Sequence, residues 1–493
     1  MRRAHRFFAT LVLAVMASAG AAFAKDSVTI GMILEPPGLD PTTAPAAAIG
    51  EVTHYNIFEG LTKINEDFSI TPLLAEKWTF SPDLKTLTFT LKPNVKFQDD
   101  EPFTSKDVKF SFERFAAKDS TNKDKAFFAA IESIETPDPL TVVLKFKEPS
   151  FLALFHLGLE TGVILDEKSA AGAATAPVGT GPYKLASWTK GSSITLDKWD
   201  GYRDAAKTPV AHANFRFISD PSAGVAAMLA GDVDAFPRFP NFEALGQFKS
   251  DPRFQVLIGG TEGKTILAMN NKKKPLDDLK VRRAIAYAID RKAIIDGASS
   301  GLGTPIGSHL TPNDPGYVDL TGMYPHDPEK AKALLKEAGV TTPLELGLVL
   351  PPPPYARQGG EIIAAQLAEV GINAKIQNVE WAQWLSGVYK DHNFDLTIIS
   401  HVEPLDIGIY ANPNYYFGYD SPAFQAIYGK LTSAPDFDAL KAAFTEASKR
   451  IAEDSVNGFL FQLPNVTVAD AKLKGLWKNA PIFANDLSAL SWQ

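Results

Sequence analysis

Gly297-Ala298-Ser299-Ser300-Gly301 has the G-x-S-x-G spacing that exposes a nucleophilic serine in many hydrolases. That chemistry needs a strand before the serine and a helix after it, so that the hydroxyl stands on a strained turn. Here the pattern follows a helical segment and precedes a loop, which makes it a glycine-rich helix stop. Gly259-Gly260-Thr261-Glu262-Gly263-Lys264-Thr265 comes within one residue of the phosphate loop G-x-x-x-x-G-K-T. Position 258 is isoleucine, so the backbone cradle is too short, and the segment reads as a turn. The eight histidines are scattered, with no pair at the i, i+4 spacing of a helical zinc site. Asp99-Asp100-Glu101 reads as an acidic turn facing water rather than a calcium loop. No motif demands catalysis, a metal or a cofactor. A secreted hydrolase whose two carboxylates lie far apart in sequence stays open as the alternative.

The elements that must position any site begin with an export signal. Arg2, Arg3 and Arg6, the apolar run Phe7 to Met16 and Ala22-Phe23-Ala24 make residues 1–24 a secretory signal peptide cut after Ala24. The apolar run is shorter than the roughly 20 residues that cross a bilayer, and charges interrupt every later one. The chain has no cysteine, which excludes disulfides, a thiol nucleophile and a lipidated-cysteine anchor. Loss of three arginines with the signal takes the formal charge from −8 to −11, which disfavours nucleic acid as a partner. Lys272-Lys273-Lys274 reads as a solvated turn before Pro275. The remaining length of about 470 residues needs more than one core.

Val28 to Leu34 reads as a strand ending in the loop Glu35-Pro36-Pro37-Gly38. Leu87, Phe89 and Leu91 alternate with polar residues as in a half-buried strand, after a Ser81 to Lys85 turn. Thr104 to Asp107 fits a capping box opening a helix with Val108, Phe112 and Phe115 inward. Gly172 to Gly181 is a crossing between domains. Asp277 or Asp278 caps a helix carrying Val281, Ile285 and Ile289 and running to Gly297. Asp327-Pro328-Glu329 opens another that ends at Gly339. Pro351 to Pro354 reads as a stiff polyproline-like piece. A strand at Leu344 to Leu350, a helix at Ile362 to Val370 and a strand at Ile372 to Val379 give an α/β rhythm, whose ligand sites lie in crevices at strand ends.

Five segments in order carry a resemblance. LLAEKWTFSPDLKTLTFTLKPNVKFQDDEPFTSKDVKFSFERF (Leu73 to Phe115) is followed by GTGPYKL (Gly179 to Leu185) and LAGDVDA (Leu229 to Ala235). PLDDLKVRRAIAYAIDR (Pro275 to Arg291) and DPEKAKALLKEAG (Asp327 to Gly339) complete the set. Together they resemble the peptide/nickel/opine-type solute-binding proteins of ABC transporters, family 5. Asp83-Leu84 and Asp99-Asp100 depart from that family's usual Asp-Gly. The resemblance implies an α/β fold of the periplasmic binding protein class II (cluster C), with two lobes, hinge strands and an additional domain. Lobe I is expected at 25–61, 177–265 and 465–493, the additional domain at 62–176 and lobe II at 266–464. It further implies a monomeric, non-enzymatic periplasmic protein that closes on a small solute and docks on the membrane permease.

For the ligand, the resemblance implies a short peptide or peptide-like solute, with opines, glycosides and metal chelates as alternatives. In the family's peptide binders an aspartate after a strand pairs with the ligand's ammonium, and Asp406 in FDLTIISHVEPLDIGIY occupies that position, with Glu403 as the alternative and His401 beside them. Asp406 reads equally as a turn aspartate. On the ligand reading, Asp406→Asn is expected to weaken binding of amine-bearing ligands and leave the fold intact. Pro353 stands where dipeptide binders place a carboxylate-binding arginine, with Arg357 nearby. Tyr355 matches an aromatic of that loop, and Glu35 lies where a cleft-lining loop begins. Trp381 and Trp384 either stack on ligand or pack between elements.

Overall fold

The structure is a computed structural model that describes residues 25–44, 46–150 and 152–493. The signal peptide expected at 1–24 lies outside the described residues. Alternating side chains put Leu87, Phe89 and Leu91 on the buried face of Thr86–Leu91, the second strand of a four-stranded antiparallel sheet. Its order is Ala75–Phe80, Thr86–Leu91, Thr141–Phe146, Ile131–Asp138. Helix Ser105–Ala116 opens with the capping box: Thr104 and Asp107 satisfy each other's backbone N–H groups. The helix packs Val108, Phe112 and Phe115 inward, where Phe112 and Phe115 meet Phe128 with ring centroids 5.2 and 5.0 Å apart. Each such ring removes enough apolar surface from water to contribute about 2–3 kcal/mol.

The two departures from Asp-Gly have a backbone consequence. Leu84 and Asp100 both sit at positive φ, 55° and 73°, where a side chain costs energy and glycine does not. Asp100 is exposed, so Asp100→Gly is expected to raise stability by about 0.5–1 kcal/mol, read as a higher urea midpoint. Leu84, by contrast, is buried.

A mixed sheet of eleven strands forms the rest of the frame. Its centre is a pair of long antiparallel strands, Phe254–Met269 and Asn457–Asp470. At one end they continue into Ala235–Phe236, Ser27–Met32, His212–Phe217, Ser193–Lys198 and Tyr183–Thr189. At the other they pair with Leu396–His401, Leu344–Leu350 and Ile372–Asn378. Between the two ends the register slips twice, from Gly260 to Lys264 and from Thr265 to Ile266. Bulges of this kind bend and twist a ladder. The segment read as a failed phosphate-loop turn is therefore continuous strand, bent where the two halves of the sheet meet.

The apolar cores divide the same way. Val28, Ile30 and Phe215 share one cluster with Leu87, Phe89, Phe112 and Leu144, so the four-stranded sheet is fused to the first half. The second half has its own clusters, around Leu267, Ile285, Leu348 and Leu367, and around Phe394, Tyr410, Phe424 and Phe444. Locally, the helix expected to run to Gly297 is two helices, Leu279–Ala288 and Arg291–Ala298. Asp290 breaks it, because its carboxylate accepts from Lys292 and Ala293 N–H and caps a new start. The proline run does not stay extended: Pro354 takes the first position of helix Pro354–Glu369.

Candidate functional site

Two adjoining cavities lie where the halves face each other. The smaller, of about 290 Å³, is walled by His156 and Glu160 on the first body and by Arg238 and Ala480 to Phe483 beside it. Thr261 to Gly263 and Leu463 of the crossing strands and Val402 to Pro404 of the second body close it. The larger, of about 710 Å³, runs between Phe68, Trp78, Phe80 and Leu84 on one side and Pro315, Phe437 and Leu440 on the other. Phe155 and Pro404 line both. Leu84 thus holds its left-handed conformation at a cavity wall. Arg238 and Leu405 do the same at φ 54°, each on the wall of one cavity. Strained backbone of this kind persists where the surroundings over-determine it, often beside ligands.

Behind the smaller cavity is a buried charged network. The Lys264 ammonium, 1% exposed, lies 2.9 Å from Asp406 Oδ1 and donates to the Glu403 carbonyl at 2.6 Å. His309 Nε2 donates to Asp406 Oδ1 at 3.0 Å. Because a carboxylate only accepts, that proton sits on Nε2, leaving Nδ1 to accept from Tyr410 Oη at 3.0 Å. Asn457 Nδ2 in turn donates to Tyr410 Oη at 3.1 Å. Burial works against the Asp406 charge, yet Lys264 and His309 together hold its carboxyl well below the usual carboxylate range. Burial also opposes the Lys264 charge, and Asp406 and Glu262 outweigh it and raise its pKa. His309, His401 and Asp406 offer donor atoms within 4.8 Å of one another. A metal ion there meets the Lys264 ammonium already on the same carboxylate, a like charge in a dry site.

Of the eight residues singled out from the sequence, Glu403 alone lines these two cavities. Glu35 accepts from Trp188 Nε1 at 2.8 Å and Gly191 N at 2.9 Å, tying down a hairpin. Tyr355 Oη accepts from Ser400 N at 3.2 Å, and Arg357 pairs with Glu380 at 3.2 Å. Trp384 is buried and donates to Thr397 Oγ1, while Trp381 lies at the surface, edge-on to it. His401 is buried against Tyr416. Asp406 faces an internal cation, so an amine-bearing ligand meets a carboxylate whose charge is already answered. The residues missed are Glu262, Lys264, His309 and Asp314. Two charged side chains two apart in a strand otherwise apolar from Ile266 to Met269 were the available signal.

The histidines set an acid response. Burial, with Lys63 nearby, pushes His54 down to about 3, and burial with His309 does the same to His401. Both are therefore neutral when folded and bind protons on unfolding, so their contribution is full above about pH 6.5 and falls as pH drops towards 3. Each should withdraw about 2 kcal/mol between pH 7 and 5. His54, whose ring nitrogens have no partner, gives the cleaner test. The loss in urea-derived stability over that range should be about 2 kcal/mol smaller in His54→Leu than in the unsubstituted chain.

Two lobes, two crossing strands and a cleft between them define a solute trap of the periplasmic binding protein type. The family model for bacterial extracellular solute-binding proteins, family 5, matches residues 69–444, and the chain belongs to that family. It is similar to the dipeptide-binding protein of Escherichia coli K12, 32% identical over 349 residues that make up 64% of each chain. It is also similar to the glutathione-binding protein of Salmonella paratyphi A, 29% identical over 77% of this chain and 74% of that one. The solved structure of AgaA with agropinic acid, from Agrobacterium tumefaciens R10, aligns at TM-score 0.77 and 29% identity, covering 95% of this chain and 99% of that one. The family and these relatives are described as solute-binding proteins. Among the described residues, no helix is long and apolar enough to cross a membrane.

Proposed function

We propose that the protein is the periplasmic solute receptor of an ABC importer and that it captures a short peptide or peptide-like solute between its lobes. The observation that carries this reading is a pair of adjoining, mainly apolar cavities with a few charged side chains set into their walls. The smaller sets Asp124, Glu160, Glu262 and Glu403, with Lys123 and Arg238, among apolar walls that include Phe155, Leu159, Ile482 and Phe483. Its Arg238 keeps one guanidinium nitrogen, Nη2, without an acceptor, while Nε pairs with Glu51 at 2.9 Å. A cationic group and an anionic group on one solute therefore both find complements there. The larger cavity offers Phe68, Trp78, Phe80, Leu152, Phe155 and Phe437 to apolar side chains. A charged end joined to apolar side chains is the chemistry of a short peptide. Relatives named for dipeptide and glutathione binding support it.

Contacts to both bodies favour the closed form because only that form offers them at once. On this reading the three-part division at 62–176 and 266–464 gives the moving pieces, and the closed form docks on a permease. The test is a thermal-shift screen of dipeptides and tripeptides. A binder at 100 times its Kd should add about 2.7 kcal/mol of stability and be recovered chemically intact. Hydrolysis of the peptides by the purified protein, or no shift with any of them, sinks the reading.

A further inference from the structure

Glu262 is 4% exposed, walls the smaller cavity and has neither carboxyl oxygen paired with a donor. A buried carboxyl without a donor is costly unless it holds a proton or meets a cation. Its immediate neighbours are Asp314, whose Oδ1 is likewise without a donor, and Lys264, whose ammonium is committed to Asp406. Glu160 is half-buried, with Lys123 the nearby cation that opposes the effect of burial on it. The other two acidic groups of the cavity are already served or open to solvent. Asp124 accepts from Thr161 Oγ1, and Glu403 is exposed and accepts from Val402 N at 3.2 Å.

We infer that Glu262, and not Asp406, is the group that receives the cationic end of the solute, and that each capture expels one proton shared by Glu262 and Asp314. This rests on the peptide reading above. The step balances: the Glu262 carboxylic acid gives its proton to water as the ammonium arrives, so the charge of the site is unchanged. The groups facing Glu262 are Lys264 on its own strand, Asp314 on the 306–317 loop and Asp406 after Leu396–His401. Arg238, Glu160 and His156 look on from across the cavity. Burial first, then Asp314, raises the Glu262 carboxyl well above its ordinary value, and burial raises Asp314. The acid form is therefore the one that waits for solute, and affinity should rise with pH above the ordinary glutamate range, about 4.3.

The test is calorimetry of a panel of dipeptides and tripeptides with uncharged side chains, each beside its N-acetylated form, in phosphate and in Tris. Different buffer ionisation enthalpies turn proton release into a measurable difference in heat. For any panel member that binds, about one proton should leave per solute, and none for the acetylated form. Glu262→Gln should abolish the release and weaken binding of the free amine about 10- to 100-fold while leaving the acetylated form little changed. Asp314→Asn, a second variant, should also alter the proton count. Binding with no proton release in the unsubstituted chain, or unchanged affinity in a folded Glu262→Gln, overturns the assignment and leaves the peptide reading standing. Failure of the whole panel to bind overturns both.

Discussion

Lys264→Met is expected to lower folding stability by about 3–5 kcal/mol, because it strips the cation from a carboxylate that is nine-tenths buried. Asp406 would be left with His309 at 3.0 Å and His401 at 3.7 Å, and the Glu403 carbonyl would lose its 2.6 Å donor. The loop from Val402 to Leu405 that walls both cavities should loosen with it. Asp406→Asn should cost less, because Glu262 and Asp314 stand beside Lys264 and can ionise to replace the lost charge. That asymmetry is specific to this network. A Lys264→Met/Asp406→Leu double variant should recover much of the loss, since apolar replacement of both partners avoids an orphaned charge. Urea midpoints of the three variants measure the order. From the sequence alone, Asp406→Asn is expected to leave the fold intact, and its urea midpoint decides between the two. Equal stability of all three and the unsubstituted chain would show that the pair carries no weight.

Glu59→Gln is expected to cost a similar amount, about 3–5 kcal/mol, for a related reason. Glu59 is 1% exposed and accepts four hydrogen bonds. Two come from Arg203 at 2.7 and 2.6 Å, one from Tyr202 Oη at 3.2 Å and one from Thr180 Oγ1 at 2.9 Å. An amide can accept on one side only, so half of those donors lose their partner and the guanidinium is left largely desolvated. The consequence reaches the Gly179 to Leu185 segment. A Cβ on Gly179 would stand 2.0 Å from the Ile57 carbonyl, so the segment is pressed against the backbone next to Glu59. Gly179→Ala should therefore lower the unfolding midpoint as well. A Glu59→Gln midpoint within error of the unsubstituted chain would contradict this reading of the motif.

Legibility in the sequence followed the range of the forces. The Thr104 capping box, the Asp278 and Asp327 caps and the alternation through Leu91 depend on neighbours a few residues apart, and each reads directly. The break at Asp290 was hidden because the apolar spacing runs across it; only the cap betrays it. The charged network was out of reach. Lys264 and Asp406 are 142 positions apart, and the bend at Glu262 arises from the register slip between the Gly260–Pro464 and Lys264–Gln462 pairs with the far strand. Trp381 and Trp384 illustrate the converse. Aromatic residues at a strand end suit stacking on a ligand, but Trp384 packs in the core because its indole finds Thr397 there. The scattered histidines conceal a tertiary neighbourhood, since His309 and His401 approach to a ring separation of 5.2 Å.

The central claim is that solute draws the two bodies together, and the chain suits a direct measurement because it contains no cysteine. Lys77→Cys and Asp438→Cys are exposed sites flanking opposite walls of the larger cavity. Spin labels placed there report the gap by pulsed electron resonance. With a peptide that raises the melting temperature, the distance distribution should move to shorter values and saturate at one solute per chain. A distribution unchanged at saturating peptide would contradict closure on the solute.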